Sequence, residues 1–164
     1  MKRIPTILLL VSAVLLPLLT SCSRDQSRRD QTVSVEDDDP EMVAAIAKAR
    51  DTLPKFWQAL EQRSRGESDF ALKVKITDQN RTEHFWATNI ERKDGKITGT
   101  IDNDPNIVQQ VKLGEGIQIN EADISDWFYL RGENMVGNYT LRVLFKQMPP
   151  EEVDRYKKIL AEPD

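Results

Sequence analysis

Apolar and polar positions alternate most regularly in the middle of the chain, where Lys73 and Lys75 separate Leu72, Val74 and Ile76. A period of two puts one set on each face, so this segment reads as a half-buried strand. Two more alternating stretches, His84–Ile90 and Lys96–Ile101, flank Asp94-Gly95. Asp-Gly between such stretches predicts a two-residue hairpin turn. That turn pairs Lys93 with Lys96, Arg92 with Ile97, Ile90 with Gly99, Thr88 with Ile101 and Trp86 with Asn103, so that Trp86, Ile90, Ile97 and Ile101 share a face. Gly99 opposite Ile90 leaves room for a bulky neighbour, either Trp86 or a helix residue. Ile117-Gln118-Ile119 predicts another strand, and the aromatic-rich Asp123–Leu130 one more.

Helical spacing frames this block. Asp39-Pro40-Glu41 is a helix start, with a capping side chain, proline at the first position and acidic charge toward the dipole. Met42, Ala45, Ile46 and Ala49 then fall on one face. Pro54 predicts a break near Thr52 and a restart through Phe56–Leu60. Leu141, Leu144, Phe145 and Met148 form a later helical face, and after Pro149-Pro150 so do Val153, Tyr156, Ile159 and Leu160. The expected fold is α+β: a mostly antiparallel sheet of about five strands flanked by N-terminal and C-terminal helices, in one globular domain over residues 39–164.

The start of the chain is patterned differently. Lys2 and Arg3 precede an apolar stretch from Ile4 to Leu19, which ends in Leu18-Leu19-Thr20-Ser21-Cys22. This is signal-peptide order. Pro5, Ser12 and Pro17 interrupt the stretch, which falls short of the roughly 20 clean apolar residues a spanning helix needs. The boundary resembles a bacterial lipobox. The resemblance implies removal of residues 1–21, diacylglycerol on the Cys22 sulfur and a further acyl chain, such as palmitate, on its amine. Two or more acyl chains give stable membrane anchoring. By resemblance to proteobacterial lipoproteins, Ser23 rather than aspartate after the cysteine implies sorting to the outer membrane, with the domain facing the periplasm of the bacterial cell envelope. Residues 22–38 carry almost nothing to bury and read as the lipidated N-terminus followed by a disordered tether.

Charge narrows the classes of partner. The chain has 23 Lys and Arg against 27 Asp and Glu, a net charge of −4, and the loss of Lys2 and Arg3 with the leader makes the remainder more acidic. That argues against nucleic acid, which calls for a basic face. Cys22 is the only cysteine, so no disulfide is available. His84 is the only histidine. A histidine metal cluster therefore cannot form, and any Ser-His-Asp relay must use His84 with Glu83 or Asp126 to orient it. No nucleophile elbow is present. Glu83 and His84 make up a candidate polar site, no catalytic residue is assigned, and no cofactor or metal is expected. Asp102–Asn106 begins like a calcium loop, but Ile107 and Leu113 stand where glycine and glutamate belong, so it reads as a turn. Gly114-Glu115-Gly116 reads as another turn. Asp126 and Trp127 set a carboxylate beside an aromatic, a pair able to grip a sugar or a peptide. Alternation allows Trp127 in the core. If instead Ile124, Phe128 and Leu130 point inward, Trp127 and Tyr129 form an outer patch. Asp126, Trp127 and Tyr129 are thus the candidate interaction surface.

Four motifs in order, Glu83-His84-Phe85-Trp86, Gly99-x-Ile101-x-Asn103-x-Pro105, Ile124-Ser125-Asp126-Trp127 and Gly137-Asn138-Tyr139-Thr140, resemble the YegJ-like family of bacterial proteins. The likeness runs from about Ala44 to Met148. It departs at Gly137-Asn138, where the family often has a glycine pair, and asparagine tolerates the left-handed geometry such a site needs. The resemblance implies a domain of unknown function, found in envelope lipoproteins among other contexts, with no catalytic residues to carry over. The expected role is a lipid-anchored, non-catalytic module that binds a protein or peptide. The alternatives are an envelope hydrolase using His84 with a nearby carboxylate, and an immunity-type inhibitor of a toxin or enzyme.

Overall fold

The Asp39 carboxylate opens helix α1 (Pro40–Gln62) by accepting from the N–H groups of Glu41 at 2.9 Å and Met42 at 3.1 Å, with Pro40 at the first helical position. The structure, a computed structural model, describes residues 39–63 and 66–163. Cys22, the leader before it and the tether up to residue 38 lie outside the described residues. Among the described residues no helix is long and apolar enough to cross a membrane.

The expected break at Thr52 does not occur. α1 runs through Pro54, whose ring sits on the exposed side, while Ala49, Leu53, Phe56, Trp57 and Leu60 continue one buried stripe past it. Packing of that stripe on both sides of the proline outweighs the lost backbone donor. Left-handed Arg63 ends the helix, its N–H on the Ala59 carbonyl at 2.9 Å.

The strands are β1 (Glu67–Asp78), β2 (Arg81–Lys93), β3 (Lys96–Ile101), β4 (Gly116–Ile119), β5 (Ile124–Arg131), β6 (Asn134–Gly137) and β7 (Leu160–Ala161). They form one sheet in the order β4-β3-β2-β1-β5-β6-β7, in which every neighbour is antiparallel except the β6–β7 pair. The fold is therefore α+β as expected, but with seven strands rather than about five. The two additions, β6 and β7, are the four-residue and two-residue strands at one edge. Helix α2 (Tyr139–Leu144) is shorter than the periodicity predicts and tightens into a 3₁₀ turn over Phe145–Gln147, ahead of α3 (Pro150–Ile159).

α1 lies on one face of the sheet, and the core between them joins Ala49, Phe56 and Trp57 to Leu72, Val74, Ile90, Ile97, Trp127 and Tyr129. At the far end of that face, the loop between β3 and β4 folds Val108 onto Phe85 and Ile101. Two of the three bulges among the described residues decide which side chains of β2 and β5 look inward; the third lies in β1 between Ser68 and Ala71, where Asp69 has φ +51°. In β2, Thr88 pairs with Thr100 and Glu91 with Thr98, so one extra residue intervenes where Asn89 has φ +51°. The hairpin starts in the expected register at Lys93–Lys96 but slips there. Ile90, Ile97 and Ile101 stay in the core, whereas Trp86 goes to the opposite face and Phe85 and Ala87 replace it. The neighbours of Gly99 are then Ile90 and Ile119: a Cβ on Gly99 would lie 2.8 Å and 3.2 Å from their Cδ1 atoms. The second bulge is Ser125, inserted between the pairs Ile124–Val74 and Asp126–Lys73.

Candidate functional site

The Ser125 bulge gathers polar groups on the sheet face away from α1. Its Oγ donates to the Lys73 carbonyl at 3.2 Å and stands 2.7 Å from His84 Nδ1. With the serine proton on that carbonyl, the imidazole Nδ1–H is the donor to Oγ. Lys73 projects from β1 across the same face. Its Nζ donates to Thr140 Oγ1 at 3.2 Å and lies 5.4 Å from the centre of the Trp86 ring, a cation–π distance. Trp86 meets Phe128 edge-to-face, with centroids 4.9 Å apart. Both rings are half-buried.

Asp126 closes this network from below. Its carboxylate accepts from the N–H groups of Trp127 (2.8 Å), Tyr139 (3.1 Å) and Thr140 (2.7 Å), and from the Thr140 hydroxyl (2.7 Å). It therefore caps α2, whose preceding residue Asn138 is left-handed and supplies no side-chain cap. Burial pushes the Asp126 carboxyl above its ordinary range, opposed by the bonds from Thr140 and Trp127 and by the charge of Lys73. Chemically, the face offers a cation on an indole, an aromatic edge and an imidazole on a buried hydroxyl.

The expected interaction surface is corrected by this geometry. Asp126 and Trp127 are 0 % exposed and Tyr129 is 2 % exposed, so none of the three reaches the surface. The Ser125 bulge puts Ile124 in phase with Trp127 and Tyr129 toward α1, and turns Phe128 the other way. Trp127 packs against Phe56, Tyr129 and Tyr139, and its Nε1–H donates to the Ala49 carbonyl at 2.8 Å.

Glu83 and His84 are neighbours in sequence but point to opposite faces of β2. Glu83 is buried in phase with Phe85, where its carboxylate accepts from the N–H groups of Asn106 (2.9 Å), Ile107 (2.9 Å) and Val108 (3.0 Å). Burial raises this carboxyl, but the bonds from Ile107, Val108 and Asn106 together outweigh that and hold it below the ordinary glutamate range. Both carboxylates considered as partners for His84 are thus engaged elsewhere, Glu83 on the β3–β4 loop and Asp126 on α2. The oxygen-rich turn also serves the backbone: Asn103 Oδ1 accepts from Trp86 N–H at 2.8 Å.

Lys73, Trp86, Ser125, Phe128 and Thr140 were not singled out by the sequence as members of a site. The alternation of Lys73 against Leu72 and Val74 carried a signal for the first. The placement of Trp86 and Ser125 depends on bulges that no spacing announces.

Residues 39–161 match a family described as an uncharacterised protein conserved in bacteria, DUF2314. The chain is 40 % identical over 120 residues to the uncharacterised protein YegJ of Escherichia coli K12, covering 73 % of this chain and 77 % of that one. It is 31 % identical over 127 residues to a putative ankyrin repeat protein of Neisseria meningitidis serogroup B, covering 72 % of this chain but 50 % of that protein, so the likeness spans half the length of that relative. No solved structure matches the chain.

Proposed function

This chain belongs to the DUF2314 family of uncharacterised bacterial proteins, and from that premise we propose that it is a lipid-anchored protein of the bacterial cell envelope whose domain binds a protein or peptide partner. The leader ending at Cys22 supports the anchor. The observation that carries the binding role is the half-buried Trp86–Phe128 pair with Lys73 over the indole, on the face of the sheet that α1 does not cover. Aromatic edges beside a fixed cation are the groups that anchor protein interfaces. A non-catalytic role agrees with the engagement of Glu83 and Asp126 in holding backbone.

The test is photocrosslinking in intact cells with reactive residues at positions 86 and 128. One dominant captured protein supports the reading. No capture from a well-expressed, anchored protein overturns it. The 2.7 Å contact between His84 and Ser125 favours one second reading, a hydrolase that uses this pair in the other tautomer, with the Ser125 hydroxyl turned from the Lys73 carbonyl to donate to Nδ1. His84→Ala separates the two: a folded variant with unchanged cellular phenotype excludes the hydrolase.

A further inference from the structure

The face of the sheet that α1 leaves uncovered carries charges of both signs in a fixed order. Along one row Lys73 on β1 pairs with Trp86 on β2. On the other side of Trp86 stands Asp102, whose N–H donates to the Trp86 carbonyl at 2.9 Å and so carries the β2–β3 ladder one residue past the end of β3. Ile101 before it is buried with Phe85 and Val108, so alternation turns the exposed Asp102 side chain to the face of Trp86. Lys75, two residues beyond Lys73 and opposite His84, shares that face and is exposed. Neighbouring strands lie about 4.8 Å apart. Trp86 thus stands between an anion on β3's side and two cations on β1, with Phe128 against its edge.

The two lysines differ. Lys73 is held by Thr140 and faces the buried Asp126 carboxylate beneath it. Lys75 is the cation at the surface of the row. An acidic partner would be attracted to this lysine and repelled by Asp102, and a basic partner the reverse. A second copy of the same face meets both. A two-fold rotation about an axis lying along the face and passing over Trp86 reverses the order of the charges, so that Asp102 of each copy comes opposite the β1 lysines of the other. The half-buried rings then meet at the centre, with the ion pairs around them.

Resting on the reading of this face as the binding surface, we propose that its partner is a second copy of this chain, in a symmetric dimer with Trp86 and Phe128 at the centre and an Asp102–Lys75 ion pair on each side. The ion pairs set the register and the choice of partner, and the aromatic rings supply the buried contact.

The test is photocrosslinking between two differently tagged copies of the anchored full chain in intact cells, with the reactive residue at position 88, which lies on the same face beside Trp86. The unaltered copies are expected to crosslink to each other. Asp102→Lys or Lys75→Glu, both at exposed positions, should lower that product about tenfold or more when present in both copies, because the symmetry turns two attractions into two repulsions. Asp102→Lys in one copy and Lys75→Glu in the other should restore it, since every anion then faces a cation again. A product that the single variants leave unchanged, or that the mixture does not restore, overturns the arrangement. Capture of a different protein with no product between copies overturns the dimer and leaves the face a binding surface. No capture of any protein overturns both.

Discussion

Gly137→Ala tests how tightly the chain turns from β6 into α2. Gly137 has φ +91°, and a Cβ there would lie 2.5 Å from the Trp127 carbonyl oxygen and 2.7 Å from two carbons of its ring. Neither neighbour can yield. The carbonyl accepts from Asn138 N–H at 2.8 Å, and the ring is packed among Phe56, Tyr129 and Tyr139. A side chain at positive φ costs about 1–2 kcal/mol, and overpacking a filled core about 1–3 kcal/mol. The expected loss is about 3 kcal/mol, or roughly 10 °C in Tm for a domain of this size. Two controls separate the components. Gly132→Ala, at φ +59° with nothing within 4 Å, pays the backbone cost alone and loses about 1 kcal/mol. Gly99→Ala has ordinary backbone, and its Cβ meets the ends of Ile90 and Ile119 and, at 3.2 Å, the Thr88 carbonyl oxygen, so it pays for overpacking without the cost of positive φ and its loss should fall below that of Gly137→Ala. The assay is urea unfolding followed by tryptophan fluorescence. If Gly137→Ala loses no more than Gly132→Ala, the contact with Trp127 is not what demands glycine.

Glu83 gives a pH signature. Its folded pKa is depressed, so the stability it contributes is present above the unfolded value and is lost as pH falls through the folded one. Protection factors for hydrogen exchange at the amides of Asn106, Ile107 and Val108, taken relative to the intrinsic rate at each pH, should be high at neutral pH and fall in acid below the ordinary glutamate range; Glu83→Gln should show low protection throughout and flatten the profile. Tyr139→Phe removes a buried hydroxyl that faces Thr52, so denaturation should find a loss of no more than about 1 kcal/mol; a larger loss would mean that more than this one contact depends on the hydroxyl. Cys22→Ser should abolish incorporation of labelled fatty acid and release the protein from membranes, and a variant that stays labelled refutes the lipid anchor.

The elements that were legible in the sequence are those fixed by local chemistry. The Asp39-Pro40 start, the Asp94-Gly95 turn and the alternation around Lys73 each act over a few residues, and each appears where the spacing puts it. The misreadings trace to single inserted residues. One extra residue at Asn89 turns Trp86 outward, and one at Ser125 turns Trp127 inward, because a period of two reverses every side chain beyond a slip. β6 and β7 were illegible for another reason: Asn134-Met135-Val136-Gly137 and Leu160-Ala161 show no apolar–polar alternation, unlike the equally short β4 with Ile117-Gln118-Ile119. Glu83 did leave a trace, since it falls in phase with Phe85 and Ala87 on the buried side of its strand. A charged residue there calls for several donors, and three backbone amides supply them. Pro54 misled because helix-breaking tendency is local, whereas the stripe from Ala49 to Leu60 is held by the sheet beneath it.

The strand order also sets a timetable. β1 occupies the middle of the sheet, yet only β2, β3 and β4 precede the loop that leads to β5. During synthesis or export the first four strands can form a meander as they emerge, but one edge of twelve-residue β1 stays open until Ile124–Arg131 arrives. The same segment brings Trp127, so the apolar stripe of α1 also lacks its main cover until then. An open edge beside an uncovered apolar helix invites pairing with other chains. The interval between residues 119 and 131 is thus the period of greatest exposure to misassembly, and chains that end before β5 are the fragments expected to engage chaperones and proteases.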